Sequence, residues 1–297
     1  MQIRTDMAAE LAANLGKIDG VSSESFLNEC GIEVSRIEVT GKTAADRLGK
    51  PEGTYVTLDM GSIAALLPEK RRSLARCCAK EIGRLVGQCE NVLVIGLGNR
   101  MVTPDSLGPK TCDGVFVTRH IKQHIPDAID DRASTVAAIS PGVLGVTGIE
   151  SEEVIGALCE RLNPQVIIAV DALAAREIKR IGASIQISNA GIQPGAGMGN
   201  NRNAIDKSTT GAEVIAVGVP TVAYASTVAR DYLEEVTRDD ETIKRAVRRM
   251  SEKPDDLVIT PTNIDKLTDH AAQLLSDAIN YAVNPHVPYE DIRDYMD

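Results

Sequence analysis

The stretch Asn91 to Pro109 reads NVLVIGLGNRMVTPDSLGP, and the rest of the chain is organised around it. Val92 to Ile95 is an unbroken apolar run rich in β-branched residues. A strand covered by helices on both faces has no polar side and carries such a run. Gly96 and Gly98 then allow a sharp backbone turn, and Thr103-Pro104-Asp105 follows. A carboxylate therefore stands just past the carboxyl end of a buried strand, the edge at which open α/β sheets bind ligands. The pattern recurs in VIIAVD, Val166 to Asp171, where an apolar run ends in Asp171. Two buried strands thus deliver two aspartates to one sheet edge.

Outward from this stretch, other elements follow from period and punctuation. Met7 to Leu15 reads as a short helix with Asp6 as its N-cap. Ile32 to Thr40 reads as an edge strand with Tyr55 to Leu58 as its hairpin partner. Ile63 to Val86 is helical, from the recurrence of Leu67, Leu74, Cys78, Ile82 and Leu85. Then come a helix over Lys110 to Gln123, a strand over Thr135 to Ser140, and a helix over Ser151 to Leu162 capped by Ser151. A short helix is expected after Asp171. SIQIS, Ser184 to Ser188, alternates like a strand exposed on one face. Asn189 to Asn203 carries four glycines and reads as a long surface loop, either a flexible connection or a lid over the sheet edge. Val214 to Val217 is a further buried strand. Helices over Ala223 to Ser251 and Asn263 to Val283 close the chain, and an irregular tail follows from Asn284. Strands alternating with helices predict a three-layer α/β/α fold with a mostly parallel central sheet. Residues 1 to about 60 are expected to add a small layer to it.

At 297 residues, 43% apolar and 25% charged, the chain has the composition of a globular protein with a sizeable core. A net charge of −10 argues against a general binder of nucleic acid or of acidic membrane. No apolar run approaches the roughly 20 residues of a spanning helix. The N-terminus lacks the apolar core of a secretory signal. The six cysteines show no Cys-x-x-Cys spacing and read as reduced thiols of a cytosolic protein.

Several chemistries compete for these residues. GLGN after a strand suggests a dinucleotide turn, but Met101 stands where the third glycine belongs and Pro104 where the helix should run. From spacing alone, Asp105 and Asp171 read either as two helix N-caps or as an acid–base pair. As a pair, one takes a proton from water and the other gives one to a leaving amine. That division needs unequal pKa values, set by burial and mutual repulsion. His120 and His124 lie four apart on one helical face, but Ile121 stands where a His-Glu-x-x-His motif carries glutamate. No cofactor and no strong metal site are expected, although His120 with Asp105 and Asp171 would make an oxygen–nitrogen ligand set. No Gly-x-Ser-x-Gly occurs.

The blocks GLGNRMVTPDSLGP (Gly96 to Pro109), VTRH (Val117 to His120), SPGVLGVTGIE (Ser140 to Glu150), VDALAAR (Val170 to Arg176), SIQISNAGIQPGAGMGNNR (Ser184 to Arg202) and VIAVGVPTV (Val214 to Val222) stand in one order. In that order they resemble the spore germination endopeptidase family, which degrades small acid-soluble spore proteins. RTDMAAE (Arg4 to Glu10) and YVTL (Tyr55 to Leu58) match it too. The resemblance implies a cytoplasmic endopeptidase of the spore core, made as a tetrameric zymogen that removes its own propeptide. The family's proposed catalytic aspartates fall on Asp105 and Asp171, already singled out by the strands. Gly96, Gly98, Asn99, Thr103, His120, Arg176, Gly195 and Gly197 are expected to support them as oxyanion or substrate-loop residues. The matching autocleavage point is Asp6–Met7. Residues 1–6 would then be the propeptide and 7–297 one peptidase domain, with residues 90–222 carrying the site motifs. The family fold resembles the hydrogenase maturation endopeptidases, where equivalent positions contact nickel. A metal-dependent endopeptidase of that type is the alternative reading.

Overall fold

In the computed structural model of the chain, residues 5–194, 203–237, 239–251 and 257–296 are described. From the N-terminus the elements begin with α1 (Ala8–Leu15), β1 (Val21–Leu27), β2 (Glu33–Val39), α2 (Lys42–Leu48), β3 (Gly53–Asp59), α3 (Pro68–Val86) and β4 (Asn91–Gly96). The middle of the chain forms α4 (Leu107–Asp113), α5 (Arg119–His124), β5 (Thr135–Ile139), α6 (Leu144–Thr147), α7 (Ser151–Leu162), β6 (Val166–Ala175) and β7 (Ser184–Ser188). It ends in α8 (Lys207–Thr210), β8 (Glu213–Tyr224), α9 (Ala225–Val236), α10 (Asp240–Ser251), β9 (Val258–Ile259), α11 (Ile264–Val283) and α12 (Tyr289–Met296).

The strands make one sheet in the order β1-β2-β3-β7-β8-β6-β4-β5, with β9 paired to β8. Strands β5, β4, β6 and β8 run parallel, and β7, β3, β2 and β1 continue the sheet antiparallel. The expected α/β/α fold with a parallel sheet at its heart is present. The N-terminal layer is added edge-on to the same sheet.

Successive strand residues face opposite sides. On one side Val94, Ile168, Val170 and Val217 pack with Leu74 and Ile82 of α3 and Leu275 and Ile279 of α11. On the other side Leu93, Ile95, Ile167 and Val214 pack with Ile155 and Cys159 of α7. Register carries this second face across the sheet: Asp171 lies opposite Gly218, Gly218 opposite Gln186, and Gln186 opposite Thr57. Farther out on that face, Ile37 and Tyr55 pack with Ala8 and Leu11 of α1 and Ala44 and Leu48 of α2. Each fully buried aliphatic side chain contributes about 1.5–3 kcal/mol, so both coverings are well anchored. Between them the sheet is the floor of a cleft.

Several expectations are corrected. The edge strand is β1, and β2 lies inside the sheet between β1 and β3. The helix before β4 starts at Pro68, where a proline at the first turn needs no N–H partner. The helix expected over Lys110 to Gln123 is two helices, α4 and α5, broken at Gly114. Glu150, in place of Ser151, is the N-cap of α7, and the Ser151 hydroxyl donates to the Gly142 carbonyl at 3.0 Å. Strand β6 runs on through Asp171 to Ala175, where a short helix was expected, because Ala172 to Ala175 remain apolar and stay paired with β8 out to Ala223. All five residues of β7 are buried. The tail carries α12. Cys30 and Cys77 are joined as a disulfide with Cα atoms 6.7 Å apart, which corrects the reading of all six cysteines as reduced thiols. The β1–β2 turn lies over α3, as the Arg36–Glu81 and Lys80–Glu29 ion pairs also show. No described helix is long and apolar enough to cross a membrane.

Candidate active site

Asp105 is positioned by a turn that glycines make possible. Strand β4 ends at Gly96, and the chain folds back so tightly that a Cβ on Gly98 would lie 2.1 Å from the Asp105 carbonyl oxygen. Gly98 also has φ +109°, which side chains rarely adopt. The turn is closed by the Asn99 N–H, which donates to Asp105 Oδ2 at 2.7 Å. Behind it, a Cβ on Gly108 would lie 2.2 Å from the Leu97 carbonyl and 2.5 Å from that of Val170. Without a side chain there, the start of α4 packs directly on β4 and β6, beside Asp171. Asp105 closes a 3-10 turn (Thr103–Asp105) and caps no helix. The N-cap alternative therefore fails for it, and it fails for Asp171, which lies within β6.

Asp171 is 7% exposed, and its Oδ1 accepts from the Ala172 N–H at 2.8 Å. Both aspartates line one cavity of about 470 Å³. Its floor passes from Asp171 across Gly218 to Gln186. Two strand spacings of about 4.8 Å set the first and last of these roughly 10 Å apart at the backbone. Gly218 leaves the floor between them open.

The chain's own N-terminal segment occupies this cleft. The Asp6 N–H donates to the Ala174 carbonyl at 2.8 Å, and the Ala174 N–H donates to Asp6 Oδ2 at 2.8 Å. Gln186 spans the next step of the segment. Its Nε2 donates to the Asp6 carbonyl at 2.9 Å, and its Oε1 accepts from the Ala8 N–H at 2.7 Å. Met7 between them is extended, with φ −83° and ψ 114°, and is fully buried against Leu173, Ala175 and Ile181. Helix α1 thus starts one residue later than expected, and the Asp6 carboxylate serves Ala174 in place of the helix end. Ordering a four-residue backbone costs about 4–8 kcal/mol. Four hydrogen bonds return about 4 kcal/mol, and the methionine about 1.5–3 kcal/mol. These nearly cancel, so the surplus comes from the helix that follows.

Glu10 ties that helix down. Its carboxylate accepts from the N–H groups of Arg176 at 2.8 Å and Glu177 at 2.9 Å and from the Thr5 hydroxyl, with Arg180 Nε at 3.6 Å. Burial pushes the Glu10 carboxyl above its ordinary value, opposed by these donors. Lys50, just past α2, lines the cavity with Asp6. Burial pushes its ammonium below the usual lysine range, opposed by the Asp6 carboxylate.

Of the other expected residues, Gly98 and Asn99 line the cavity. Gly96 lies beneath it, packed on Gly108. The Thr103 carbonyl accepts from the Ser106 hydroxyl at 2.8 Å, a contact that braces the turn. Arg176 holds α1 through its N–H on Glu10 and its guanidinium on Asn14. His120 is exposed on α5 and does not line the cavity, so the ligand set with Asp105 and Asp171 is not assembled. Gly195 and Gly197 lie outside the described residues. The described ends of their loop, Gly191 to Pro194 and Ala204, line the cavity, and Ile192 and Ile205 bridge them. Gln186, Lys50 and Gly218 were not expected. The polar residue in the middle of SIQIS was the available signal for Gln186.

Comparison with known proteins gives the chain its class. A family profile described as germination protease matches residues 2–254. The germination protease of Clostridium tetani is 36% identical over 100% of both chains. That of Clostridium perfringens (strain ATCC 13124) is 37% identical over 99% of each. The Priestia megaterium protein of the same name is 39% identical over 80% of this chain and 67% of its own. A crystal structure of the NiFe hydrogenase maturation protease HycI from Thermococcus kodakarensis KOD1 is similar at TM-score 0.36 and 12% identity, covering 67% of this chain and 98% of that one. The sequence matches define a peptidase, a hydrolase of protein substrates. The chain belongs to the germination protease family and is an endopeptidase of spore germination.

Proposed function

We propose that this endopeptidase cleaves small acid-soluble spore proteins in the spore core, with Asp105 and Asp171 as its acid–base pair, and that it first cleaves itself at Asp6–Met7. The observation that carries this reading is the Asp6 carbonyl, held by Gln186 in the cavity that both aspartates line. An extended backbone is what a peptidase cleft must hold, and Met7 already has one. One carboxylate removes a proton from water as the oxygen attacks the carbonyl carbon. The other protonates the leaving nitrogen as the C–N bond breaks. The Gln186 amide donates to the oxygen on which charge develops, with the preorganised donor lowering the barrier. Residues 1–6 are then the propeptide and residues 7–297 the mature peptidase, assembled as a tetramer.

The test is incubation of the full chain with a small acid-soluble spore protein, followed by terminal sequencing of the fragments. Cleavage after an acidic residue and before an apolar one is the expected result. An intact substrate after prolonged incubation with processed enzyme overturns the reading.

A further inference from the structure

The Cys30–Cys77 disulfide spans 47 residues, and β2, α2 and β3 lie between its ends. Lys50 and Tyr55 of this stretch line the cavity, and Ala8 and Leu11 of α1 pack with its Ile37 and Tyr55. The link therefore fastens to α3 the layer on which α1 rests. Its two ends differ in surroundings. Cys30 is exposed in the β1–β2 turn, while Cys77 is 4% exposed within α3. A thiol in solution thus reaches the bond from the Cys30 side. The turn is shaped without the bond. The Asn28 N–H donates to the Ile32 carbonyl at 2.9 Å, and Asn28 Oδ1 accepts from the N–H groups of Cys30 at 2.9 Å and Ile32 at 3.0 Å. Ile32 and Val34 pack into the core with Leu74 and Cys78 of α3, and the Arg36–Glu81 and Lys80–Glu29 ion pairs flank the link. Reduction therefore leaves both thiols on a contact that other groups hold together, and the bond re-forms without refolding. Cys78, Cys89, Cys112 and Cys159 are free. Burial pushes each of these thiols above its ordinary value, which leaves them poor attackers on the link.

We propose that Cys30 and Cys77 form a site of reversible thiol–disulfide exchange that latches the N-terminal layer: oxidised, the pair holds the layer and the docked segment in place, and reduced, it lets both open. The reductant is a dithiol. Its thiolate attacks Cys30 Sγ, the Cys30–Cys77 bond breaks, and Cys77 leaves with the electron pair and takes up a proton. The second thiol of the reductant then displaces Cys30, which is protonated in turn. The pair gains two electrons and two protons, and the dithiol ends as its own disulfide. A small disulfide as oxidant runs the exchange backwards. While the link is closed, the stretch between its ends gains little freedom by opening. Once it is broken the stretch gains more, and the layer opens more often. Each opening withdraws Ile37 and Tyr55 from α1.

The test uses the full chain carrying Asp105→Asn, so that the segment stays attached. Native protein is equilibrated in mixtures of dithiothreitol and its disulfide, quenched, and alkylated in denaturant. Mass spectrometry should count four thiols at the oxidising end and six at the reducing end, with the change reversed when the buffer is reversed. Hydrogen exchange of the peptide covering residues 5–11, which contains the Asp6 and Ala8 N–H groups, is then followed in both states. Reduction should speed it about tenfold or more. Docking of the segment is read directly, so the outcome does not depend on where the chain is cut. Cys30→Ser, at an exposed position, should exchange like the reduced parent in every buffer. The reduced parent blocked with iodoacetamide makes the same comparison without a substitution. A pair that the dithiol opens only in denaturant overturns the proposal, as does equal exchange of residues 5–11 in the two states. So does a blocked or Cys30→Ser chain that still responds to the buffer.

Discussion

The two aspartates stand in regions built by different means. The Asp105 region is local: within Gly96 to Gly108 the chain doubles back on itself, and glycines allow contacts that no side chain would permit. The Asp171 region is a product of register. Residues from β6, β8 and β7 come level across the sheet, and the N-terminal segment is laid over them. The turn has little tolerance in its backbone. The floor depends on what each strand presents at one level.

The largest effect expected is chemical and should be equal in both regions. Asp105→Asn and Asp171→Asn should each lower turnover by about 10² to 10⁴, with the thermal midpoint close to that of the parent. A folded variant of either with near-parental kcat would remove that aspartate from the pair.

Glycine substitutions should then separate the regions. Gly98→Ala forces a Cβ against the Asp105 backbone at a positive φ, and a loss of about 3 kcal/mol or more is expected in denaturant unfolding. Gly218→Ala would place a Cβ 2.6 Å from Leu173 Cγ and 2.8 Å from the Asp171 carbonyl oxygen, a looser fit than the 2.1 Å at Gly98 and without the positive φ. Its stability loss should be smaller, about 1 kcal/mol, with KM raised because the methyl group intrudes on the floor. Equal stability losses would erase the distinction between the regions.

Processing sharpens the role of the floor. N-terminal sequencing of incubated protein should show a chain beginning at Met7, and Asp105→Asn should abolish it. Acidification should favour the event through Glu10. Its carboxyl is raised in the docked state, so that state binds the proton more tightly than the undocked one. Docking is strongest below the ordinary glutamate value and weakens as pH rises toward the raised one. Processing that accelerates with rising pH across that window would contradict the direction. The smallest effect expected is from chelation. Exhaustive treatment should leave peptidase activity unchanged, and loss restored stoichiometrically by one divalent metal would favour the metal-dependent alternative.

These regions also differ in how far they were legible. The turn around Asp105 could be read because everything that defines it lies within a few residues: an apolar run, two glycines, a proline and the carboxylate. Asp171 was found for the same reason, but the end of its strand was misplaced. A polar residue inside a strand looks like the strand's end when the neighbours that bury it come from elsewhere. SIQIS misled in the same way. Its alternation suggested a wet face, yet Ser184 is paired with Asp59 and Gln186 with Asp6 and Ala8, so the polar groups are satisfied while buried. Those partners lie more than a hundred residues away in the chain. The Cys30–Cys77 link, across 47 residues, was hidden by the same distance.

Met7 and Glu10 lie downstream of the Asp6–Met7 bond, on the side that stays with the enzyme. If this bond is cut as proposed, Thr5 and Asp6 leave with their hydrogen bonds to Ala174, Gln186 and Glu10, but the buried methionine and the anchored glutamate keep their places. On that proposal the enzyme would be left holding its own product on a tether. Tethered groups compete at effective concentrations of about millimolar, far above any dilute peptide. Activation by the proposed self-cleavage would then have two stages with separate clocks: scission, and the later departure of α1 from Arg176 and Arg180. A densely packed substrate protein can drive the second stage by mass action, while a sparse one leaves the cleft shut.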